Sequence, residues 1–347
     1  MRSRLEPKRR FPATALVHWP PVWRTATLRA PRFIDCPAPA GVPPATEAAA
    51  GLARRPARLP PKFFYDALGS RLFDAITELP EYYPTRTEAA IFAARRDAMA
   101  TAVHDAAGRG ATLVDLGAGN CEKAERLFSA FAPGRYVAVD ISAEYLRTTL
   151  ERLQQRHPGL DVVGVGLDFS QRLALPAGLV DAPALLFYPG SSIGNFAPAD
   201  ALRLLREARE ASRGGALLIG VDLVKPADVL EAAYDDALGV TAAFNLNLLR
   251  HLNRVLGADF DVRDWRHVAF FDAAASRIEM HLEARRALTV RWPGGERRFD
   301  AGERLHTEDS YKWTREDFEA LLREAGFRDV RAWSDERGWF AVMLASG

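Results

Sequence analysis

Ala111-Thr112-Leu113-Val114-Asp115-Leu116-Gly117-Ala118-Gly119-Asn120-Cys121-Glu122-Lys123 divides into an apolar, β-leaning first half and a glycine turn. The turn opens into Ala124-Glu125-Arg126-Leu127-Phe128, which has helical spacing. Strand, tight turn and helix is how a Rossmann-like sheet presents a nucleoside ligand at the carboxyl ends of its strands. Gly117 and Gly119 fit the first two places of a G-x-G-x-x-G dinucleotide fingerprint, but the third place is Glu122. A carboxylate there occupies the electropositive helix end that a pyrophosphate would need. The turn therefore suits a ligand without phosphate, and a nicotinamide-dependent oxidoreductase fits it poorly.

S-adenosylmethionine is such a ligand, a nucleoside joined to an amino acid through a sulfonium. Working outward, Arg135 to Val139 reads as a second strand. It ends at Asp140, 23 residues after Gly117, where an acidic side chain can take both ribose hydroxyls. A helix over Ala143 to Arg156 and a third strand, Val162 to Val165, lead to Asp168-Phe169. An acid and an aromatic placed there can accept from an adenine amino group and stack on its ring. The fourth strand, Ala184 to Tyr188, runs into Pro189-Gly190-Ser191-Ser192-Ile193-Gly194-Asn195-Phe196, beside the first strand, where a reacting methyl would lie. Asn195 can donate and accept at once, which suits an amino-acid head group. A helix to about Ser212 and a fifth strand, Ala216 to Asp222, complete an α/β, Rossmann-like class I methyltransferase core.

The alternation then stops. From Lys225 to about Lys312 come helices over 227–233 and 240–256, then period-2 segments over 268–271, 276–284 and 287–292. These predict a small antiparallel sheet. The insertion, 225–312, joins residues 51–91 in a second, α+β substrate-binding domain, and 92–224 with 313–347 form the cofactor domain. Thr85, with Glu88 three residues later, predicts a capped helix start, and Thr314 to Asp317 another. Twelve of the 22 prolines fall in the first 61 residues, so residues 1–50 read as a flexible extension with order beginning near Leu59.

Lys and Arg total 46 against 45 Asp and Glu, a net charge of +1 that argues against a nucleic-acid or polybasic membrane partner. Cys36 and Cys121 lie far apart and imply no disulfide framework, which points to a reducing cytoplasm. No run approaches the roughly 18 apolar residues that a membrane span requires. The seven histidines form neither H-x-H nor H-E-x-x-H, and no metal site is expected.

Further stretches extend the reading. Phe64-Tyr65-Asp66, Pro80-Glu81-Tyr82-Tyr83-Pro84-Thr85-Arg86, the glycine turn, Pro189 to Phe196, Tyr234-Asp235-Asp236 with Phe244-Asn245, and His306-Thr307-Glu308-Asp309-Ser310-Tyr311-Lys312 occur in that order. Together, over roughly residues 58 to 347, they resemble the ergothioneine-pathway histidine Nα-methyltransferases. The resemblance implies Gly117, Lys123, Asp140, Asp168 and Phe169 for S-adenosylmethionine, with Gly119 in the same turn and Lys123 on the carboxylate of the methionine part. For L-histidine it implies Tyr82, Asn195, Tyr234, Glu308 and Ser310. Asn195 and Tyr234 would fix the α-carboxylate, and Glu308 and Ser310 would meet the imidazole.

The i, i+2 spacing puts Glu308 and Ser310 on one face of an extended segment, where a carboxylate and a hydroxyl can read two ring nitrogens. Asp309, where family members often carry something bulkier, points away by the same alternation. Tyr65 and Asn195 are the candidates beside the reacting amine, with Tyr65 or a bound water as the outlet for its proton. Met280 is a further lining candidate. The implied activity is three methyl transfers to L-histidine, through its mono- and dimethylated forms, giving hercynine. The enzyme is expected to act as a cytoplasmic monomer. The alternative is a methyltransferase of the same fold acting on another amino acid or small amine.

Overall fold

The computed structural model describes residues 29–36 and 42–347. The glycine-turn strand lies inside an eight-stranded sheet. Its members are β1 (Arg32–Asp35), β3 (Thr112–Leu116), β4 (Arg135–Asp140), β5 (Asp161–Gly166), β6 (Ala184–Tyr188), β7 (Ala216–Asp222), β13 (Asp329–Ser334) and β14 (Phe340–Ser346). They lie in the order β1-β5-β4-β3-β6-β7-β14-β13, and only β14 runs against its neighbours. Strands buried on both faces read as continuous apolar runs, which is why β3, β6 and β7 are legible as such. On one face Leu113 packs with Ile91 and Met99 of α3 (Tyr83–Ala107), the short α4 (Glu122–Glu125) and α5 (Phe128–Phe131), and Leu146 and Leu150 of α6 (Ala143–Arg156). On the other, Val114 packs with Leu204 of α7 (Pro198–Ala211) and Phe318 of α10 (Arg315–Glu324).

A second core gathers α1 (Pro44–Ala53), α2 (Ala67–Thr77), α8 (Ala227–Tyr234) and α9 (Val240–Leu256) around a four-stranded sheet. Its strands are β2 (Ala57–Arg58), β8 (Trp265–Asp272), β9 (Arg277–Ala284) and β12 (Arg304–Tyr311), in the order β2-β12-β9-β8. Phe64, Leu248, Trp265 and Leu282 are fully or almost fully buried there. β12 is bulged against β9: His306 faces His281 and Glu308 faces Met280, leaving Thr307 unmatched. No helix among the described residues is long and apolar enough to cross a membrane.

Four expectations need correction. First, the stretch read as a flexible extension contains β1, paired in parallel with β5, and most of α1, whose Ala48 and Leu52 are fully buried. Its prolines sit where they are tolerated: Pro44 in the first turn of α1, Pro31 just before an edge strand. Residues 1–28 and 37–41 of that stretch lie outside the described residues. Second, Thr85 does not cap a helix. α3 already starts at Tyr83, with Pro84 in its first turn, and Glu88 points away from the helix start. Third, the segment from Leu288 to Trp292 leaves the antiparallel sheet and pairs as β10 with β11 (Gly295–Phe299) in a separate hairpin. Fourth, a boundary at residue 91 falls inside α3, whose Tyr83 packs in the second core while Ile91 packs on the large sheet.

Candidate active site

The ends of β3, β4 and β5 build a cradle from backbone. Gly117 and Ala118 donate to the Val139 carbonyl at 2.8 and 3.1 Å, folding the turn over β4. Gly117 holds φ 71°, a left-handed conformation that glycine adopts without strain. Asp140 accepts from the Gly119 N–H at 2.9 Å and the Ser142 N–H at 2.8 Å, which fixes its carboxylate at the rim. Burial pushes the Asp140 carboxyl up, while those backbone donors oppose the shift. The Phe169 ring stands 3.9 Å from where a Cβ on Gly117 would lie, and packs edge-on against Tyr188. Backbone, carboxylate and ring thus come together at the carboxyl ends of β3, β4 and β5.

Two predicted cofactor residues are already engaged. Asp168 takes the Lys62 ammonium at 2.8 Å, and Lys62 also reaches Glu47 of α1 at 2.7 Å. Burial raises the Asp168 carboxyl, but Lys62 and Ser170 outweigh it and hold it below its ordinary range. Lys123 lies 2.7 Å from Glu88 Oε2, while Glu88 Oε1 accepts from the Gly190 N–H at 2.7 Å. Glu88, 1% exposed, thereby ties α3 to the loop after β6 and to Lys123.

Beside the cradle, a cavity between the two cores is lined by Tyr65, Tyr82, Asn195, Tyr234, Glu308 and Ser310, so all the predicted substrate and catalytic residues meet there. Met280, Phe73 and Phe244 add apolar wall. The loop carrying Asn195 approaches β12 closely because residue 194 is glycine: a Cβ there would stand 2.9 Å from the Tyr311 carbonyl oxygen. Asp309 faces the opposite side of β12, held by Arg58 and by His306 at 2.9 Å. Tyr65 joins the two regions, since its carbonyl accepts from Ser142 Oγ at 3.1 Å beside Asp140 and its ring lines the cavity.

The electrostatics are set by burial. Glu308 is pushed up to about 8 by desolvation, which Lys312 opposes and Asp309 reinforces, and no hydrogen bond supports its ionised form among the described residues. Desolvation raises Tyr65 far above its ordinary range, and Glu308 and Asp140 push it further, so it is a neutral phenol at working pH. Lys312 donates to Ser310 Oγ at 2.8 Å and Tyr234 OH at 3.0 Å, and pairs with Asp222 at 2.8 Å. Asp222 also holds Lys225 at 2.6 Å and the Tyr83 hydroxyl at 2.6 Å.

Lys312, Asp222, Lys225, Glu88 and Lys62 were absent from the sequence-based set of site residues. Of these, Lys312 carried the one available signal, its i+2 phase with Ser310. One further grouping was missed because it forms across paired strands: Glu279, His281 and His306 offer ligand atoms within 4.8 Å of one another. Arg277 already holds Glu279, and His306 is turned to Asp309.

Residues 45–347 match the family model described as "Histidine-specific methyltransferase, SAM-dependent". The chain is 43% identical to Histidine N-alpha-methyltransferase of Mycolicibacterium smegmatis, over 85% of this chain and 92% of that protein. It is 42% identical to the protein of the same name in Mycobacterium tuberculosis, with the same coverage of 85% and 92%. It is also 31% identical to Ergothioneine biosynthesis protein 1 of Neurospora crassa, over 84% of this chain and 33% of that one. A mostly parallel α/β sheet, and a family match spanning both cores, lead to one assignment: the chain belongs to the SAM-dependent, histidine-specific methyltransferases.

Proposed function

We propose that the protein transfers three methyl groups in turn to the α-amino nitrogen of L-histidine, giving hercynine, a step in ergothioneine biosynthesis. The observation that carries this reading is the cavity itself, which brings Glu308, a carboxyl without a hydrogen-bond partner among the described residues, together with a hydroxyl pair, Ser310 and Tyr234, and with Asn195 on the adjoining loop. A ring with two nitrogens and a carboxylate-bearing tail are what such a set can read. The names of the mycobacterial and Neurospora relatives support the same substrate and pathway.

S-adenosylmethionine supplies an electrophilic methyl carbon on a sulfonium leaving group. Gly117, Gly119, Asp140 and Phe169 would hold its nucleoside, and Lys123, released from or sharing Glu88, the carboxylate of its methionine part. The protein's own contribution is alignment and exclusion of water. Asn195 and Tyr234 hold the α-carboxylate, Glu308 and Ser310 hold the ring, and the amine is left facing the cradle near Tyr65 and Tyr82. Neutral Tyr65 can orient the amine as a hydrogen-bonding phenol without serving as a phenolate base, and the amine's proton leaves to solvent before the methyl is transferred. As methyls accumulate the nitrogen loses its hydrogen bonds, and the rings of Tyr65 and Tyr82, both packed on Phe73, and of Tyr234, packed on Tyr82, can still attract the cation.

The test is mass spectrometry of reactions containing histidine, tryptophan or tyrosine. Histidine should gain three methyls. A product that stalls at one methyl contradicts trimethylation, and equal turnover of all three amino acids contradicts histidine selectivity. Glu308→Ala should lower kcat/KM for histidine by roughly 100-fold, since truncation leaves a buried ring nitrogen of the substrate without its partner.

A further inference from the structure

Behind the two cavity hydroxyls lies a charge that touches neither cofactor slot nor cavity. The Lys312 side chain is 1% exposed, and its ammonium has three N–H groups for three acceptors: Asp222 Oδ2 at 2.8 Å, Ser310 Oγ at 2.8 Å and Tyr234 OH at 3.0 Å. Ser310 Oγ and Tyr234 OH are themselves 2.7 Å apart. The three atoms close a triangle in which Lys312 only donates. Asp222 takes no hydroxyl proton from the pair, because its other partners are Lys225 and Tyr83. Ser310 and Tyr234 therefore hold two protons between them, one for their mutual bond and one for the cavity.

With the substrate carboxylate at Tyr234, the direction follows. A carboxylate accepts only, so the Tyr234 proton goes to it, and the 2.7 Å contact is bridged by the Ser310 proton. Ser310 Oγ, with one lone pair filled by Lys312, turns its remaining lone pair to the ring. We propose that Lys312 is a positioning residue that holds this direction, by filling one lone pair on each hydroxyl so that neither can turn away from it. Ser310 then meets the substrate as the acceptor of an imidazole N–H, and carboxylate and ring are recognised through one hydrogen-bonded chain. Without the ammonium, the Ser310 hydroxyl is free to swing its proton to the ring and break the link to Tyr234. The inference rests on histidine being the substrate.

Lys312→Met tests it, since Asp222 keeps Lys225 and Tyr83 and no buried carboxylate is orphaned. The KM for histidine should rise about tenfold with kcat changed less than about threefold, and calorimetric affinity for S-adenosylhomocysteine should stay within about twofold of wild type. Adding Lys312→Met to Ser310→Ala should weaken histidine use by no more than about twofold beyond Ser310→Ala alone, because both act on one contact. An unchanged KM, or losses that multiply, overturns the proposal. If Lys312→Met does not bind S-adenosylhomocysteine, the cycle of Tyr234→Phe and Ser310→Ala decides with Lys312 in place: a shared chain predicts losses that do not multiply, and multiplying losses overturn it. A wild-type enzyme that ignores histidine but methylates another amine overturns the substrate reading and the chain with it. Normal histidine turnover with additive variants overturns the chain alone.

Discussion

Glu308 is a carboxyl taken almost wholly out of water, with no donor among the described residues to stabilise its charge. Its ordinary value is 4.5 and burial moves it to about 8. Below pH 4.5 it is protonated in both folded and unfolded chains, and its full contribution to stability is present. Between those values the unfolded chain loses the proton while the folded one keeps it, so ligand-free stability falls as pH rises. Above pH 8 the loss is complete, on the order of a few kcal/mol. Glu308→Gln cannot ionise and should gain on the wild type by that amount between pH 5 and pH 9, as read from thermal melts of ligand-free protein. A gap that stays constant across that range would sink this account. The same substitution should impair histidine turnover, since a binding group tuned against stability is one the ligand is expected to complete.

At the scale of an element, β12 decides which residues face the substrate. The i, i+2 relation of Glu308 and Ser310 was legible, because strand alternation is local. The phase that turns this pair toward the cavity was not, because it is fixed by the bulge at Thr307, and a bulge exists only relative to the partner strand β9. Thr307 Oγ1 donates to the Met280 carbonyl at 3.0 Å inside the sheet. Thr307→Val keeps the shape, removes that bond, and should cost about 1–2 kcal/mol while raising the KM for histidine. Urea denaturation and steady-state kinetics would check both.

Thr314→Ala provides the contrast. Thr314 Oγ1 caps α10 by accepting from the Asp317 N–H at 3.0 Å and does not line the cavity, so its loss should cost about 1 kcal/mol and leave KM unchanged. That cap was readable from sequence, as were β3 to β7 and α6 to α9, because caps and periodicity lie within a few residues of chain. β1 and α1 were misread because prolines were counted as breakers without regard to their positions at the element starts. Lys312, Asp222 and Glu88 escaped for a different reason: their partners are distant in sequence, and nothing local in a buried lysine or glutamate tells which charge it will meet.

For the whole molecule, the junction of the two cores is electrostatic at its centre. Asp222 ends the large sheet's β7, Lys312 follows β12 of the small sheet, Tyr83 opens α3, and Lys225 begins the inserted segment. Asp222 and the lysine side chains are each 1% exposed, two positive charges around one negative. Desolvation alone would raise the Asp222 carboxyl, yet the two ammonium groups hold it below its ordinary range. Lys225 moves the other way, lowered by burial to about 8, so it is the partner that gives way. Removing Asp222 leaves both lysines buried without a counter-charge, the situation in which breaking a buried pair costs far more than the pair itself is worth. Asp222→Ala should therefore lose on the order of 3–5 kcal/mol in guanidinium denaturation. Lys225→Met added to Asp222→Ala should recover part of that loss, because it deletes one of the two stranded charges. The recovery should appear in stability but not in histidine KM, since Lys312 alone of the two lysines reaches Ser310 and Tyr234. A double variant no more stable than Asp222→Ala would mean that the junction is held by packing around Tyr83 and Trp339, 5.4 Å apart, and not by its charges.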